Sequence, residues 1–203
     1  MSVLNDLWII RHGQTEWSAN GRHTSRTDVP LTDAGRAEAR RLAPVLARHR
    51  FALVLTSPMQ RARETAAAAG FPDAVVDEDL REWDYGDLEG LTTPEIRARG
   101  GEFAQWTIWR GPVPGGETIA DVAARARRVL DRVAAAASTG DGADDDDDVL
   151  CFGHGHASRV LVAVALGLAP EDCSRFLLEP ATIGIVGSEH DQRALRVWNA
   201  PPV

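Results

Sequence analysis

The residues best suited to chemistry are two arginines and two histidines that stand beside glycines or predicted helix starts. They are Arg11, His12, Arg61 and His154, with Gly13, Ser57, Pro58, Gly153 and Gly155 close to them in the chain. Arginine presents a planar fork of N–H donors that matches phosphate oxygens, and a helix start offers free backbone N–H groups to anions. Their combination predicts a site for a phosphoryl group.

The same residues could carry out phosphoryl transfer. A neutral imidazole attacks phosphorus well when its other nitrogen is hydrogen-bonded, so we expect His12 to be the nucleophile. His154 would stabilise charge on the transferring group. The leaving oxygen needs a proton, for which we expect the carboxyl group of Glu82, with Asp84 as the rival. A phosphate dianion beside Glu82 would favour its protonated form.

Predicted strands must bring these residues together. Apolar runs rich in β-branched and aromatic residues predict strands at 7–10, which leads into Arg11 and His12, at 51–56 and at 149–153. Ligands of open α/β sheets bind beyond the carboxyl ends of the strands, where these residues would lie. Glu82 is expected directly after a short strand. The other predicted strands are at 74–77, 183–187 and 195–198.

Helix signals alternate with the strands. Thr32 is expected to cap a helix that reaches about residue 48, kinked or cut short by Pro44. Ser57 is expected as the N-cap of the next helix, with Pro58 at its first position. The other predicted helices are at 117–137 and at 156–166. The alternation predicts a three-layer α/β/α sandwich on a mostly parallel sheet.

Two segments interrupt the pattern within what we expect to be a single domain. Residues 84–116, rich in Trp, Gly and Pro, predict a small cap insertion. Trp106 and Trp109 are three residues apart, which favours one helical face packed between cap and core. Residues 139–148 predict an acidic surface loop, because the run lacks the glycine turn and terminal glutamate of a calcium loop.

Composition excludes several function classes. The 203 residues are 44% apolar and carry a net charge of −8, which argues against nucleic-acid or anionic-membrane partners. Two cysteines are too few for a disulfide framework, and we see neither a signal peptide nor an 18-residue apolar span. We therefore expect a cytoplasmic protein, and the sequence leaves a homodimer open.

The order of these motifs resembles the histidine phosphatase (phosphoglycerate-mutase-like) superfamily. The matching motifs are residues 11–16, 20–35, Ser57 with Pro58 and Arg61, Glu82 with Tyr85, Gly86, Glu89 and Gly90, and His154 with Gly155. The resemblance implies that His12 is phosphorylated, that Arg11 and Arg61, rather than Arg63, bind the phosphoryl group, and that no cofactor or metal takes part.

The resemblance also implies where substrate would be contacted. The expected substrate-binding residues are Thr15, Ser18, Thr24, Ser25, Tyr85, Gly155 and His156. The alternative for residues 14–18 is a simple turn, and the alternative for His156 is a helix start without substrate contact. His23 and His49 are instead expected on the surface, and Arg159 is expected on a helix surface or beside a carboxylate.

Departures from the mutases favour a phosphatase. Trp83 stands where mutases have a substrate-binding arginine, His156 where they usually have asparagine, and the chain ends soon after its last strand. Residues 80–96 and 153–159 look especially like small acid phosphatases and sedoheptulose-bisphosphatase-like members. We therefore expect hydrolysis of a small phosphomonoester, with phosphoglycerate mutase as the alternative.

Other function classes fit the sequence less well. His154 and His156 could begin a metal site, but clear third and fourth ligands are missing. Gly153, Gly155 and Ser158 match a dinucleotide-binding motif only weakly. A non-catalytic phospho-ligand binder is the remaining alternative, and such proteins usually lose the nucleophile that is present here.

Overall fold

The computed structural model of the protein describes residues 6–137, 148–190 and 192–202. In this part of the chain, six strands form one sheet in the order β3-β2-β4-β1-β5-β6. The strands are β1 (Leu7–Arg11), β2 (Phe51–Thr56), β3 (Val75–Val76), β4 (Asp148–Gly153), β5 (Ile183–Glu189) and β6 (Gln192–Ala200). Strands β1 to β4 run parallel, whereas β5 and β6 add antiparallel pairs at one edge. The predicted mostly parallel sheet is confirmed.

Helices cover both faces of the sheet. They are α1 (Glu16–Ala19), α2 (Asp33–Leu46), α3 (Gln60–Ala68), α4 (Thr93–Arg97), α5 (Ile119–Ala137) and α6 (Gly155–Ala165). Successive side chains of a strand point to opposite faces, and β1 is buried on both. Leu7 and Ile9 pack with α5 and α6, whereas Trp8 and Ile10 pack with α2 and α3. The predicted three-layer α/β/α sandwich is confirmed.

The segment 84–116 packs on the helical layer formed by α5 and α6. Trp83, Tyr85 and Trp106 join Val122 of α5 and Val160 of α6 in one buried apolar cluster. A cap insertion in a single domain stays our interpretation of this segment. The predicted acidic loop, except for Asp148 at the start of β4, lies outside the described residues.

Two helix boundaries differ from the prediction. Helix α2 has the expected cap, Thr32, but runs through Pro44 and ends at Leu46. Helix α3 begins at Gln60, not at Pro58, and its N-cap is Met59. Ser57 lies before the N-cap, and its Oγ accepts from the Met59 N–H at 3.3 Å and lies 2.7 Å from His154 Nε2.

Two further local predictions are wrong. Glu82 follows a 3₁₀ turn, Glu78–Leu80, rather than a strand, because the Asp77 side chain caps the turn by accepting from the Asp79 N–H at 2.9 Å. Neither Trp106 nor Trp109 lies on a helix, since Trp106 is in an irregular stretch and Trp109 is in a turn. Trp106 Nε1 donates to the carbonyl of Pro112 at 2.9 Å, so the chain folds back over its ring. None of the described helices combines the length and apolarity needed to cross a bilayer.

Candidate active site

The carboxyl ends of three neighbouring strands form the centre of the site. Strand β4 lies between β1 and β2, and its Gly153 pairs with Arg11 of β1. The backbone N–H groups of His12 and Ser57 donate to the carbonyls of Gly153 and Phe152, each at 2.9 Å. The sheet therefore places His12, Ser57 and His154 side by side, with 5.2 Å between the two imidazole rings.

His12 is oriented by its own loop. Its Nδ1 lies 2.7 Å from the carbonyl oxygen of Gly13, an acceptor, so Nδ1 carries the proton and Nε2 keeps its lone pair. Burial lowers the pKa of His12 well below its usual range, and the charges of Arg61 and Arg11 lower it further. The ring is therefore neutral near pH 7, which is the form that attacks phosphorus.

The loop after His12 is fixed by close packing. The Gly13 N–H donates to Thr65 Oγ1 at 3.0 Å, and this hydroxyl donates to the Arg61 carbonyl at 2.7 Å. A Cβ atom on Gly13 would lie 2.5 Å from the backbone oxygen of Gly35. Glycine is required at position 13 because the start of α2 lies against this loop.

Arg61, in the helix that follows β2, bonds to His154, which follows β4. It is fully buried, whereas Arg63 is exposed. Its Nε donates to His154 Nδ1 at 3.3 Å. A guanidinium cannot accept, so Nδ1 is the lone-pair nitrogen and Nε2–H of His154 donates to Ser57 Oγ at 2.7 Å. The other Arg61 nitrogens donate to the carbonyls of Thr24, Ser25 and Thr27.

Arg11 keeps one donor free for a ligand. Its Nη1 donates to the Leu178 carbonyl at 2.5 Å, whereas its buried Nε has no hydrogen-bond partner among the described residues. Buried polar groups normally have partners, so an unpaired N–H beside His12 suits an anionic ligand. Gly155 leaves the space for this guanidinium, because a Cβ there would approach Arg11 Cζ and Nε to 3.3 Å.

Glu82 lies at the amino end of α6. Its carboxylate accepts from the backbone N–H groups of Trp83, His156 and Ala157 at 2.8 to 3.0 Å. These bonds hold the carboxyl group beside Gly155 and Arg11. The rival acid, Asp84, instead bonds to Arg26 and to the Gly86 N–H. The geometry favours Glu82 over Asp84 as the acid.

Residues 7–201 match the model of the histidine phosphatase superfamily (branch 1). The chain belongs to this superfamily. It is 39% identical over 200 residues to the acid phosphatase of Mycobacterium tuberculosis, covering 97% of this chain and 94% of that one. It is 36% identical over 181 residues to the sedoheptulose 1,7-bisphosphatase of Saccharomyces cerevisiae, covering 79% and 67%.

A solved structure supports the same assignment. The product of a Mycobacterium tuberculosis open reading frame superposes with a TM-score of 0.89 at 37% identity, over 98% of this chain and 99% of that one. A phosphoglycerate mutase from Gloeobacter violaceus is 36% identical and covers 85% of this chain and 81% of its own, less than the acid phosphatase of Mycobacterium tuberculosis. The chain is a phosphatase, and the mutases are more distant relatives.

The phosphatase uses several of the predicted substrate-binding side chains internally. Thr15 and Ser18 cap α1 reciprocally, each side chain accepting from the other's backbone N–H. Ser25 Oγ donates to Glu89 at 2.8 Å, and Thr24 Oγ1 donates to the Arg22 carbonyl at 3.1 Å. Ser18 also lines a cleft of about 420 Å³ next to Arg11. Substrate contact by these residues stays a prediction.

Tyr85 and His156 form a pair beside Glu82. The Tyr85 hydroxyl lies 2.6 Å from His156 Nδ1. Burial lowers the pKa of His156 well below its usual range, with smaller contributions from the charges of His23 and Arg159. Burial and the charge of Glu82 raise the pKa of Tyr85. Both groups are neutral near pH 7, so Tyr85 donates and His156 accepts.

The surface prediction for His23 is wrong, whereas His49 is exposed as expected. The His23 ring lies 4.8 Å from Tyr85 and 5.2 Å from Trp106, and burial lowers its pKa to about 4. Arg159 is also not a free surface residue or a carboxylate partner. It donates to the carbonyls of Cys173 and Ser174 and stacks 4.4 Å over Trp109.

The sequence did not indicate the residue that fixes the loop at 24–27, whose carbonyls Arg61 contacts. Glu89 accepts from the backbone N–H groups of Ser25, Arg26 and Thr27 and from the Ser25 hydroxyl. This loop presents the three carbonyls that Arg61 binds. Glu89 is part of the motif that contains Glu82 and Tyr85, but the motif does not indicate its role. Its partners lie about 60 residues away in the chain, and no local pattern identifies them.

A metal centre is not apparent in the described ranges. No group of three or more His, Cys, Asp or Glu side chains there could hold an ion. His154 and His156 are directed to different partners, Ser57 and Tyr85.

Proposed function

We propose that the phosphatase hydrolyses small phosphomonoesters through a phosphohistidine at His12. The observation that carries the proposal is the buried, neutral His12 ring, whose Nδ1–H is fixed by Gly13 at 2.7 Å while Nε2 keeps its lone pair. Two arginines, the buried Arg61 and the half-buried Arg11, flank this nucleophile, as a phosphoryl group requires. A non-catalytic phospho-ligand binder would not need a nucleophile in this state.

The reaction has two steps. In the first, His12 Nε2 bonds to phosphorus, the P–O bond to the leaving group breaks, and Glu82 gives its proton to the leaving oxygen. In the second, a water oxygen bonds to phosphorus, the P–N bond breaks, and Glu82 takes the proton of the water. Inorganic phosphate leaves. Arg11, Arg61 and His154 stabilise the charge of the transferring group in both steps.

The structure around position 83 favours hydrolysis over the mutase alternative. Trp83 is 1% exposed, and its Nε1 donates to the Glu117 carbonyl at 2.8 Å. Its side chain therefore lies in the core and offers no charge to a phosphoglycerate carboxylate.

The leaving-group side favours an uncharged alcohol. Apart from Arg11, which we assign to the phosphoryl group, the polar side chains of Tyr85 and His156 beside Glu82 are neutral near pH 7, and so is His23. The nearby cation, Arg159, is occupied by two carbonyls and Trp109. We therefore propose as substrates the phosphomonoesters of sugars and of other uncharged alcohols. A cytoplasmic location and a homodimer stay predictions.

Trapping of the intermediate tests the mechanism. Enzyme mixed briefly with a radiolabelled phosphomonoester and quenched in base should retain label that acid releases, as expected of phosphohistidine. His12→Ala should retain none and should lose at least about 10³-fold in kcat/KM. His190→Asn is the matched control, because His190 is exposed and its φ of 47° suits asparagine.

The outcome that contradicts the mechanism is near-full activity of His12→Ala. For the choice between reaction types, phosphate release is compared with interconversion of phosphoglycerates. Efficient interconversion without release of phosphate would reverse the assignment in favour of a mutase.

A further inference from the structure

Glu82 is carried by an irregular segment, so its position must be fixed by other means than a strand or helix. The residues around it form a 3₁₀ turn on one side and a stretch without regular structure on the other. A general acid acts only within hydrogen-bond reach of the leaving oxygen, and a displacement of about 1 Å can cost about 100-fold in rate. A device that fixes both sides of Glu82 would therefore matter for catalysis.

One buried ion pair contacts the backbone on both sides of Glu82. Arg125 of α5 forms a forked bond to the Glu117 carboxylate, with Nε to Oε1 at 2.9 Å and Nη2 to Oε2 at 3.1 Å. The Arg125 side chain is only 9% exposed and that of Glu117 is 25% exposed. Forked Arg–carboxylate bonds fix relative orientation as well as distance.

Each partner holds a different side of the segment. Arg125 Nη1 donates to the carbonyls of Asp79 and Arg81, at 2.8 and 2.7 Å, before Glu82. Glu117 acts after Glu82. Its carboxylate accepts from the Asp84 N–H at 2.9 Å, and its carbonyl accepts from Trp83 Nε1 at 2.8 Å.

We propose that Glu117 and Arg125 are positioning residues for the acid Glu82, a role that rests on the function proposed for Glu82. Neither side chain bonds to the Glu82 carboxylate in the described structure. They act through the backbone. The forked bond between them connects the segment before Glu82 to the segment after it, and Arg125 attaches both to α5; we call this arrangement the bracket. Loss of either partner removes the bonds to the backbone on one side of Glu82. The carboxyl group can then move away from the position in which it protonates the leaving oxygen.

Leaving-group dependence tests this role. An alkyl phosphate needs a proton on its leaving oxygen, whereas p-nitrophenyl phosphate releases a stable anion that does not. The ratio of kcat/KM for the two substrates therefore reports the general acid alone. We expect Glu82→Gln to lower the alkyl-to-aryl ratio about 100-fold, and Glu117→Gln and Arg125→Lys to lower it about tenfold or more.

Arg128→Gln is the matched control. Arg128 lies on α5 one turn beyond Arg125 and binds the Asp79 carboxylate, but its side chain is 56% exposed and touches no backbone beside Glu82. Loss of this cation from the same helix should leave the ratio unchanged. Thermal unfolding midpoints identify folded variants, and if Glu117→Gln does not fold, Arg125→Lys and Glu117→Asp carry the test.

The possible results separate the two proposals. A lowered ratio in Glu82→Gln but equal losses on both substrates in Glu117→Gln and Arg125→Lys would overturn the positioning role alone. An unchanged ratio in Glu82→Gln would overturn the acid assignment, and the positioning role with it. In the double variant Glu82→Gln/Glu117→Gln we expect no further fall in the ratio, because the second change acts through the first. A further fall would contradict the inference.

Discussion

The two sides of the active site are built in different ways. The phosphate side stands on the ends of β1, β2 and β4, so Arg11, His12 and His154 take their places from the sheet ladder. The acid side stands on the irregular segment 78–90, where Glu82 is held by the start of α6 and by the Glu117–Arg125 pair. Each strand of the sheet can be identified from a local apolar run in the sequence. The acid side has no strand or long helix of its own and depends on contacts of individual side chains from distant segments.

The two sides also differ in charge. Two guanidinium groups flank His12, whereas, apart from Arg11, the polar side chains of Tyr85 and His156 around Glu82 are neutral. A cationic side binds a phosphoryl dianion, and a neutral side tolerates an uncharged alcohol. Changes on the phosphate side should therefore affect all substrates alike, whereas changes on the acid side should depend on the leaving group.

The largest expected effect is on the phosphate side, at Arg61. Arg61→Gln should lower kcat/KM by about 10³-fold on alkyl and aryl phosphates alike, because it removes a cation from the transferring group and three bonds to the loop at 24–27. Steady-state kinetics on both substrates measure this effect.

Arg63→Gln is the control, because Arg63 is exposed on the same helix and its loss should change kcat/KM less than twofold. A loss below about tenfold in Arg61→Gln would remove Arg61 from the phosphate site.

Acid should destabilise the protein through its buried histidines. Burial lowers the pKa of His23 from 6.5 to about 4, so above pH 6.5 the ring is neutral in both folded and unfolded chains and has no effect on the pH dependence. Between about pH 6.5 and pH 4 the unfolded chain binds a proton that the folded chain does not, and stability falls as pH falls. For His23 the loss is roughly 2 to 3 kcal/mol.

Denaturant unfolding at pH 7.5 and at pH 4.5 measures this effect. His23→Gln should reduce the difference between the two free energies of unfolding, and His49→Gln, at an exposed position, should not. Since His23 lies on the leaving-group side, an equal pH dependence in His23→Gln and the wild-type protein would show that the neutral state of this side is not set by burial.

Glu89→Gln should have a smaller, substrate-independent effect. It weakens the bonds that hold residues 25–27, and with them the carbonyls that orient Arg61. We expect kcat/KM to fall about 10- to 30-fold on both alkyl and aryl phosphates. Dependence on the leaving group would contradict the division of the site into two sides, because Glu89 would then act through the acid.

The smallest expected effect is at Tyr85. Tyr85→Phe removes the hydroxyl that donates to His156 at 2.6 Å. A single buried hydrogen bond contributes about 1 kcal/mol, so the variant should lose about fivefold in kcat/KM on an alkyl phosphate and less on p-nitrophenyl phosphate. The same loss on both substrates would place Tyr85 with the phosphate side instead.

Much of the phosphate side could be predicted because its signals are local. The apolar run of β1 ends in Arg11, Thr32 caps α2 as expected, and α6 begins beside His154. Strand and helix periods reflect burial of one or both faces within a few residues, so they are visible in the chain itself. The predicted N-cap of α3 was wrong because the helix begins only at Gln60, and the Ser57 hydroxyl instead bonds to His154, 97 residues away.

The acid side could be predicted only in its chemistry. The sequence indicated that Glu82 was the acid but placed it after a strand, put His23 on the surface and gave no role to Arg125. The apolar residues of 84–116 follow neither a helical nor a strand period. Trp83, Tyr85 and Trp106 are buried by packing with residues of α5 and α6, which lie elsewhere in the chain.

The sequence by itself indicated a phosphatase, since the residue types and their order beside strand ends and glycines predict phosphoryl transfer, for which we propose His12 as the nucleophile. Only the tertiary structure decided the protonation and aim of those groups: the Nδ1–H of His12 fixed by Gly13, the carboxylate of Glu82 held at the start of α6, and the bracket of Glu117 and Arg125 around it. Side-chain identity sets what a group can do, whereas its tautomer, charge and position depend on burial and on partners that folding brings from far along the chain.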